Sequence, residues 1–146
     1  MYSKILIPLD GSEVAAAVLE QVVTLARAYG AQLFLLTVGL PLPASLPRAS
    51  DLQLSLTFQA EAYLEKLREY LEAQGLEVST AVCIGEPAWE ILDFAERQQV
   101  HLIIINSRGG GGTRSPFLGS VAEKVAAAST VPVLVCHAAA AEGETP

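Results

Sequence analysis

Short apolar runs alternate with helix-patterned segments along this chain, and that alternation limits the folds open to it. The runs are KILIPL at 4–9, QLFLLTV at 32–38, LEVSTAVC at 76–83, VHLIII at 100–105 and VPVLVC at 131–136. Strands separated by helices form a parallel sheet that is covered on both faces. Because crossovers are right-handed, we predict one α/β domain, a three-layer sandwich with four helices and a five-stranded parallel sheet of order 3-2-1-4-5.

The helix segments show apolar residues at helical spacing. The first carries Val18, Val22 and Leu25, and the second spans roughly 51–74. The third starts at Pro87, and the fourth is SVAEKVAAAS at 120–129. The predicted inward side chains of the second and third helices are Leu56, Ala60, Tyr63, Leu64, Leu67, Leu71, Ile91, Leu92 and Ala95.

Two further packing predictions come from residue type and alternation. Trp89 and Phe94 on the third helix are expected to pack in the core, because aromatic side chains on helices usually serve burial. The third strand alternates, with Val78, Thr80 and Val82 on one side. This pattern is typical of an edge strand exposed on one face.

Composition restricts the domain organisation and the partners. The chain has 146 residues, 51% of them apolar, and a net charge of −7. We expect one domain at 1–137 and a disordered tail at 138–146. The negative net charge argues against nucleic acid or an anionic membrane surface as a partner. The absence of a signal-like segment predicts a cytoplasmic protein. Cys83 and Cys136 are expected to be buried or half-buried thiols at strand ends.

A glycine-rich loop, NSRGGGGTRSPFLGS at 106–120, follows the fourth strand. In the predicted order, strands 1 and 4 are neighbours where the winding reverses, and such folds bind ligands there. Glycines let backbone N–H groups approach an anion, and the helix that starts near Gly119, with Ser120 as its N-cap, favours negative charge. Arg108 and Arg114 add positive charge. The pattern indicates a phosphate site, and a flexible loop before a capped helix is the alternative.

Several catalytic signatures are absent. Neither the P-loop nor the dinucleotide glycine motif follows the first strand, which reads PLDGSEVA, and no G-x-S-x-G occurs. His101 lies at a strand start, away from the predicted crevice, and His137 lies in the tail. With no general base near the loop, we expect slow hydrolysis at most.

The residues from ILIPLDGS to VPVLVC resemble the universal stress proteins, a family with a flavodoxin-like fold. Its nucleotide-binding branch carries G-x2-G-x9-G-[S/T] after strand 4. Asn106, Gly109, Gly119 and Ser120 stand in that register, so the sequence departs from the motif at its first glycine. Asparagine tolerates the left-handed backbone better than most residues, yet its side chain occupies space near the ribose or phosphate.

The resemblance implies an ATP site, with magnesium or manganese as the candidate metal. Asp10 would contact the ribose or hold the metal through water, and the backbone of Val38 would contact the adenine edge. The alternatives are that Asp10 caps the first helix and that Val38 is only a core residue. The predicted nucleotide-binding residues are Pro8, Leu9, Asp10, Val38, Asn106, Arg108, Gly109, Gly110, Gly119, Ser120 and Val121.

The resemblance also implies a homodimer paired through strand 5, which fits the apolar edge VPVLVC. The function so implied is a nucleotide-dependent regulator or sensor in the stress response. Two alternatives stay open. One is a dimeric scaffold that binds no nucleotide, which Asn106 favours, and the other is a slow adenine-nucleotide hydrolase.

Overall fold

The computed structural model describes residues 1–11, 16–107 and 119–137, with residues 16 and 17 described by their backbone alone. Arg108, Gly109 and Gly110, Arg114 and the predicted tail at 138–146 therefore lie outside the described residues. Within the described ranges the elements are β1 Lys4–Leu9, α1 Ala16–Tyr29, β2 Gln32–Gly39, α2 Ala49–Ala73, β3 Glu77–Ile84, α3 Pro87–Gln98, β4 Leu102–Asn106, α4 Ser120–Ala128 and β5 Val133–Cys136.

The five strands form one sheet of order β3-β2-β1-β4-β5, and every neighbouring pair is parallel. This confirms the predicted α/β fold and strand order. β1 lies at the centre, where Leu6 pairs with Phe34 of β2 on one side and with Ile103 of β4 on the other. The winding reverses between β1 and β4, so a crevice opens at the carboxyl ends of these two strands.

Helices cover both faces of the sheet and create two apolar cores. Ile5 and Leu33 face α1 and α2, whereas Leu6, Leu36 and Ile103 face α3 and α4. Successive residues of a strand point to opposite faces, so a strand covered on both sides needs apolar residues at consecutive positions. The unbroken apolar runs of β1, β2 and β4 have this origin.

Helix ends follow the local sequence closely. Gly30 and Gly75 have φ values of +60° and +87° after α1 and α2, a left-handed conformation that glycine adopts without steric cost. α3 starts with Pro87 after the N-cap residue Glu86, whose carboxylate accepts a hydrogen bond from Trp89 N at 2.7 Å. Proline suits the first turn because the N–H it lacks would have no partner within the helix.

The structure corrects the predicted burial of the second helix. Leu64 and Leu71 are buried, but Leu56, assigned to the same apolar face, is 43% exposed. The helix also starts two residues earlier than predicted, at Ala49. The apolar face is covered only where the sheet lies under it, which periodicity alone does not show.

The prediction for the third strand is also wrong in part. β3 is an edge strand as expected, but Thr80 is exposed, while Ala81 and Cys83 on the other face pack against the α3 side of the sheet. Both faces of β3 are therefore partly covered, Val78 packing on the α2 side.

The two aromatic residues of α3 differ in burial. Phe94 is buried and meets Phe34 edge to face, with ring centroids 6.0 Å apart, as predicted. Trp89 is 61% exposed, so its predicted burial is wrong. It lies in the first turn of α3, on the side of the helix that faces away from the buried Ile91 and Phe94. None of the helices in the described ranges has the length and hydropathy needed to cross a bilayer.

Candidate functional site

A cavity of about 280 Å³ lies at the carboxyl ends of β1 and β4, the place predicted from the strand order. It brings together the eight predicted site residues that belong to the described part of the chain. They come from the ends of β1, β2 and β4 and from the start of α4: Pro8, Leu9, Asp10, Val38, Asn106, Gly119, Ser120 and Val121. Residues separated by more than a hundred positions in the sequence therefore line one cavity.

Apolar residues that the sequence analysis did not assign to the site form most of the remaining lining. All of them except Pro87 belong to the two cores, which they continue into the cavity: Ile7, Val18, Leu36, Pro87, Ile91, Ile104, Ile105 and Ala122. The sequence could have indicated several of them, because they come one or two positions before a predicted site residue at a strand end. An apolar interior with polar groups at the rim is typical of sites for small organic ligands.

The start of α4 forms the polar side of the cavity. Gly119 is the N-cap residue and makes no side-chain cap bond, and its carbonyl accepts from Glu123 N at 2.9 Å. Ser120 is thus the first helical residue, and its prediction as N-cap is wrong by one position. The correction leaves the Ser120 hydroxyl uninvolved in capping the helix. Ser120, Val121 and Ala122 all line the cavity, so the positive end of the helix dipole lies beside it.

Ser107 is a further lining residue that sequence reasoning missed. It is only 2% exposed, its N–H donates to Cys136 O at 2.7 Å, and its carbonyl accepts from Gly119 N at 2.5 Å. One residue thereby joins the end of β4, the end of β5 and the N-cap of α4. These bonds fix the helix start relative to the sheet, and no local pattern marks a serine for that role.

The segment after Val38 is held in place by α2. Gln53 accepts a hydrogen bond from Leu42 N at 2.8 Å through Oε1 and donates from Nε2 to Leu40 O at 3.3 Å. On the other side, the last carbonyl of β2 accepts a hydrogen bond from the turn between β3 and α3, at 2.9 Å. The backbone that leaves Val38, at the wall of the cavity, is therefore tied on both sides.

His101 is distant from the cavity, and the thiols of Cys83 and Cys136 are not activated. His101 Nδ1 lies 3.2 Å from Ser3 Oγ and from Lys4 N, at the amino ends of the strands and away from the cavity, as predicted. Cys83 and Cys136 are free thiols whose pKa is raised, mainly by burial, so both stay protonated at neutral pH. Among the described residues, no group of three or more His, Cys, Asp or Glu side chains could hold a metal ion.

A family model described as the universal stress protein family matches residues 1–137. The chain belongs to this family. The universal stress protein YxiE of Bacillus subtilis is 33% identical over 150 residues, which cover 92% of this chain and 99% of YxiE. The solved structure of MJ0577, a universal stress protein of Methanocaldococcus jannaschii, is 34% identical, with a TM-score of 0.83 and coverage of 92% of this chain and 95% of that one.

A third universal stress protein, from Archaeoglobus fulgidus, was solved in complex with dAMP. It is 23% identical, with a TM-score of 0.69 and coverage of 92% of this chain and 97% of that chain. At this identity the likeness concerns the fold. The universal stress protein domain described here thus shares its architecture with these two archaeal proteins.

Proposed function

We propose that this universal stress protein binds an adenine nucleotide, ATP foremost, in the cavity between β1, β2, β4 and α4, and acts as a nucleotide-dependent regulator or sensor in the stress response. One observation carries the proposal. The cavity combines an apolar interior with a helix N-terminus, at the topological switch point of the sheet. The dAMP complex of the Archaeoglobus fulgidus relative supports the choice of an adenine nucleotide.

The cavity suits the parts of such a ligand. Its volume of about 280 Å³ is just below the ~300–1,000 Å³ range for small-molecule sites. We assign the base to the apolar side formed by Val38, Leu36 and Ile91, where the fixed backbone after Val38 offers hydrogen-bonding groups. The phosphates belong at the start of α4, where Gly119 presents no side chain and Ser120 supplies backbone N–H and hydroxyl donors.

Asp10 lies between these regions, at the exposed end of β1. We propose that its carboxylate accepts a hydrogen bond from the ribose or holds magnesium or manganese through water. A lone carboxylate is a weak metal site, but magnesium commonly binds through one or two carboxylates plus the phosphates of the substrate. The metal would offset phosphate charge when bound with the nucleotide. Arg108, Gly109 and Gly110 complete the proposed site from outside the described residues.

Asn106 is the residue that most affects the strength of binding. It is exposed, lines the cavity and pairs with Cys136 of β5 in the sheet register. The scaffold alternative rests on the bulk of this side chain at the position of a motif glycine. Because the side chain lies at the mouth and not in the interior, we favour weakened binding over complete loss.

We further propose a cytoplasmic homodimer paired through β5. Val133, Leu134 and Val135 are half-buried on this edge strand, which has no partner strand on its outer side within the described chain. Pairing with a second copy would cover the apolar edge. The two free thiols, Cys83 and Cys136, are consistent with a reducing compartment.

Nucleotide in an acid extract of freshly purified protein tests the main proposal directly. We expect adenine nucleotide in the extract and, after its removal, saturable ATP binding that GTP does not match. The only tryptophan, Trp89, lies two residues from the cavity-lining Pro87 and provides a fluorescence signal. If the protein shows neither bound nucleotide nor ATP binding, the scaffold alternative is favoured. ATP hydrolysis faster than about one turnover per minute would instead favour the hydrolase alternative. Typical enzyme rates are ~1–10³ per second.

A further inference from the structure

An ion pair joins α3 and α4 beside the cavity. Lys124 Nζ of α4 lies 3.7 Å from Oε2 of Glu86, the N-cap residue of α3. Glu86 comes immediately before Pro87, and Lys124 lies one helical turn after Ser120; both Pro87 and Ser120 line the cavity. Glu86 and Lys124 themselves do not line it. The pair therefore bridges two walls of the proposed nucleotide site from outside.

Lys124 is placed to reach the start of its own helix. Helical residues three and four positions apart share a face, so Lys124 lies on the same side of α4 as Val121 and Ser120, which both line the cavity. Side chains of a helix lean toward its N-terminus and cover the turn before their own Cα atom. The four-carbon stem of lysine is long enough to cross one turn, ~5.4 Å. The ammonium group can therefore reach the region that we assign to the phosphates.

Positive charge is scarce near the cavity. Of the nine Lys and Arg residues, Arg108 and Arg114 lie outside the described residues, which leaves seven. Among these seven, Lys124 is the only one within four residues of a cavity-lining residue on the same helix. Five of the others bond to groups elsewhere on the fold: Lys4, Arg27, Arg48, Arg68 and Arg97. Lys124 is therefore the described cation best placed to offset the charge of a polyphosphate, in a chain whose net charge is −7.

The contact between Lys124 and Glu86 is weak enough to be exchanged. The two side chains are 65% and 54% exposed, and their separation of 3.7 Å exceeds the ~2.7–2.9 Å of a charge-assisted hydrogen bond. Exposed ion pairs of this kind contribute little to stability. The other carboxylate oxygen of Glu86 accepts a hydrogen bond from Trp89 N at 2.7 Å, so α3 stays capped when Lys124 leaves. A polyphosphate carries several negative charges close together and therefore competes well with one carboxylate.

We propose that Lys124 binds the outer phosphate groups of the nucleotide and that Glu86 holds the Lys124 ammonium group while no polyphosphate is bound. This inference rests on the proposed function and adds the residue that distinguishes a nucleoside triphosphate from a monophosphate. A monophosphate places its single phosphate at the N-terminus of α4 and leaves the ion pair in place. A triphosphate extends further toward Lys124, draws the ammonium group away from Glu86 and opens the bridge between α3 and α4. The number of phosphates thereby changes a contact between two helices, which is what a nucleotide-dependent sensor requires.

Calorimetric titration of the full chain with ATP and with AMP tests this proposal. Lys124→Met should weaken ATP binding roughly tenfold, the lower end for a hydrogen bond to a charged group, and leave AMP binding nearly unchanged. Lys66→Met is the matched control, because Lys66 is an exposed lysine of α2 that does not line the cavity, and the variant loses the same charge. This control should bind ATP as the wild type does, and both variants should keep the wild-type circular dichroism.

Glu86→Gln tests the second half of the proposal. The amide keeps an acceptor for Trp89 N, so α3 remains capped, and loss of the competing carboxylate should tighten ATP binding up to about fivefold. The same substitution made in Lys124→Met should have no effect on ATP affinity, because Glu86 acts through Lys124. Equal tightening in both backgrounds would overturn this role, since Glu86 would then only repel the ligand.

The outcomes are separable from the nucleotide proposal. Wild-type protein that binds neither ATP nor AMP contradicts the proposed function, and the assignment of Lys124 falls with it. If the wild type binds ATP, the assignment of Lys124 alone is overturned when Lys124→Met keeps the wild-type ATP affinity. It is also overturned when Lys124→Met weakens ATP and AMP binding by the same factor, because Lys124 would then not distinguish the outer phosphates.

Discussion

Replacing Asp10 by asparagine and by alanine separates a ligand-binding role from a helix-capping role. A hydrogen bond to a charged group contributes about 1.5–3 kcal/mol and one between neutral groups about 0.5–1.5 kcal/mol. Asp10→Asn should therefore weaken ATP binding by about 1–1.5 kcal/mol, or roughly 5- to 10-fold, and Asp10→Ala by roughly 10- to 150-fold. Because Asp10 is exposed, the lower ends of these ranges are expected.

Calorimetric titration with ATP, with and without magnesium, measures both variants, and thermal unfolding serves as the control. If Asp10 is only a cap, asparagine replaces it fully, since both residues are good N-caps, and alanine lowers stability by about 1 kcal/mol without changing affinity. Unchanged ATP affinity in both variants would refute the assignment of Asp10 to the nucleotide site. If the carboxylate holds the metal, the dependence of ATP affinity on magnesium should also fall in Asp10→Asn.

Three further substitutions test other parts of the proposed site and assembly. Asn106→Gly should tighten ATP binding several-fold by removing bulk at the cavity mouth; weaker binding in the same titration would mean that the amide contacts the ligand. Gln53→Leu should weaken ATP binding up to about tenfold, because it frees the backbone after Val38. Gln53→Glu keeps the acceptor for Leu42 N, so its ATP affinity should be closer to that of the wild type. Leu134→Lys should abolish β5 pairing by placing like charges near a two-fold axis; wild-type mass in light scattering, with unchanged circular dichroism, would contradict that interface.

Much of the fold followed from local patterns. The apolar runs of β1, β2 and β4 indicated strands buried on both faces, and Gly30 and Gly75 marked the ends of two helices correctly. The place of the cavity also followed, because strand order fixes where the winding reverses. These inferences held because periodicity and backbone conformation depend on residues that are close in sequence.

Local sequence patterns predicted only part of the candidate site. Motif register indicated Asn106, Gly119 and Ser120, but the buried Ser107 beside them was missed because its role depends on Cys136 of a different strand. The capping role of Gly119 in place of Ser120 was also missed. The position of this helix start depends on a tertiary contact, the hydrogen bond from Gly119 N to Ser107 O, which neither residue type specifies.

The sequence by itself determined which residues are apolar, which segments are strands or helices, and hence one sheet order. Only the tertiary structure decided which apolar faces are covered. Leu56 and Leu64 belong to the same helical pattern, yet one is exposed and the other buried, because α2 extends beyond the strands beneath it. Burial depends on the lengths of elements that are distant in the chain, and periodicity within one element carries no information about them.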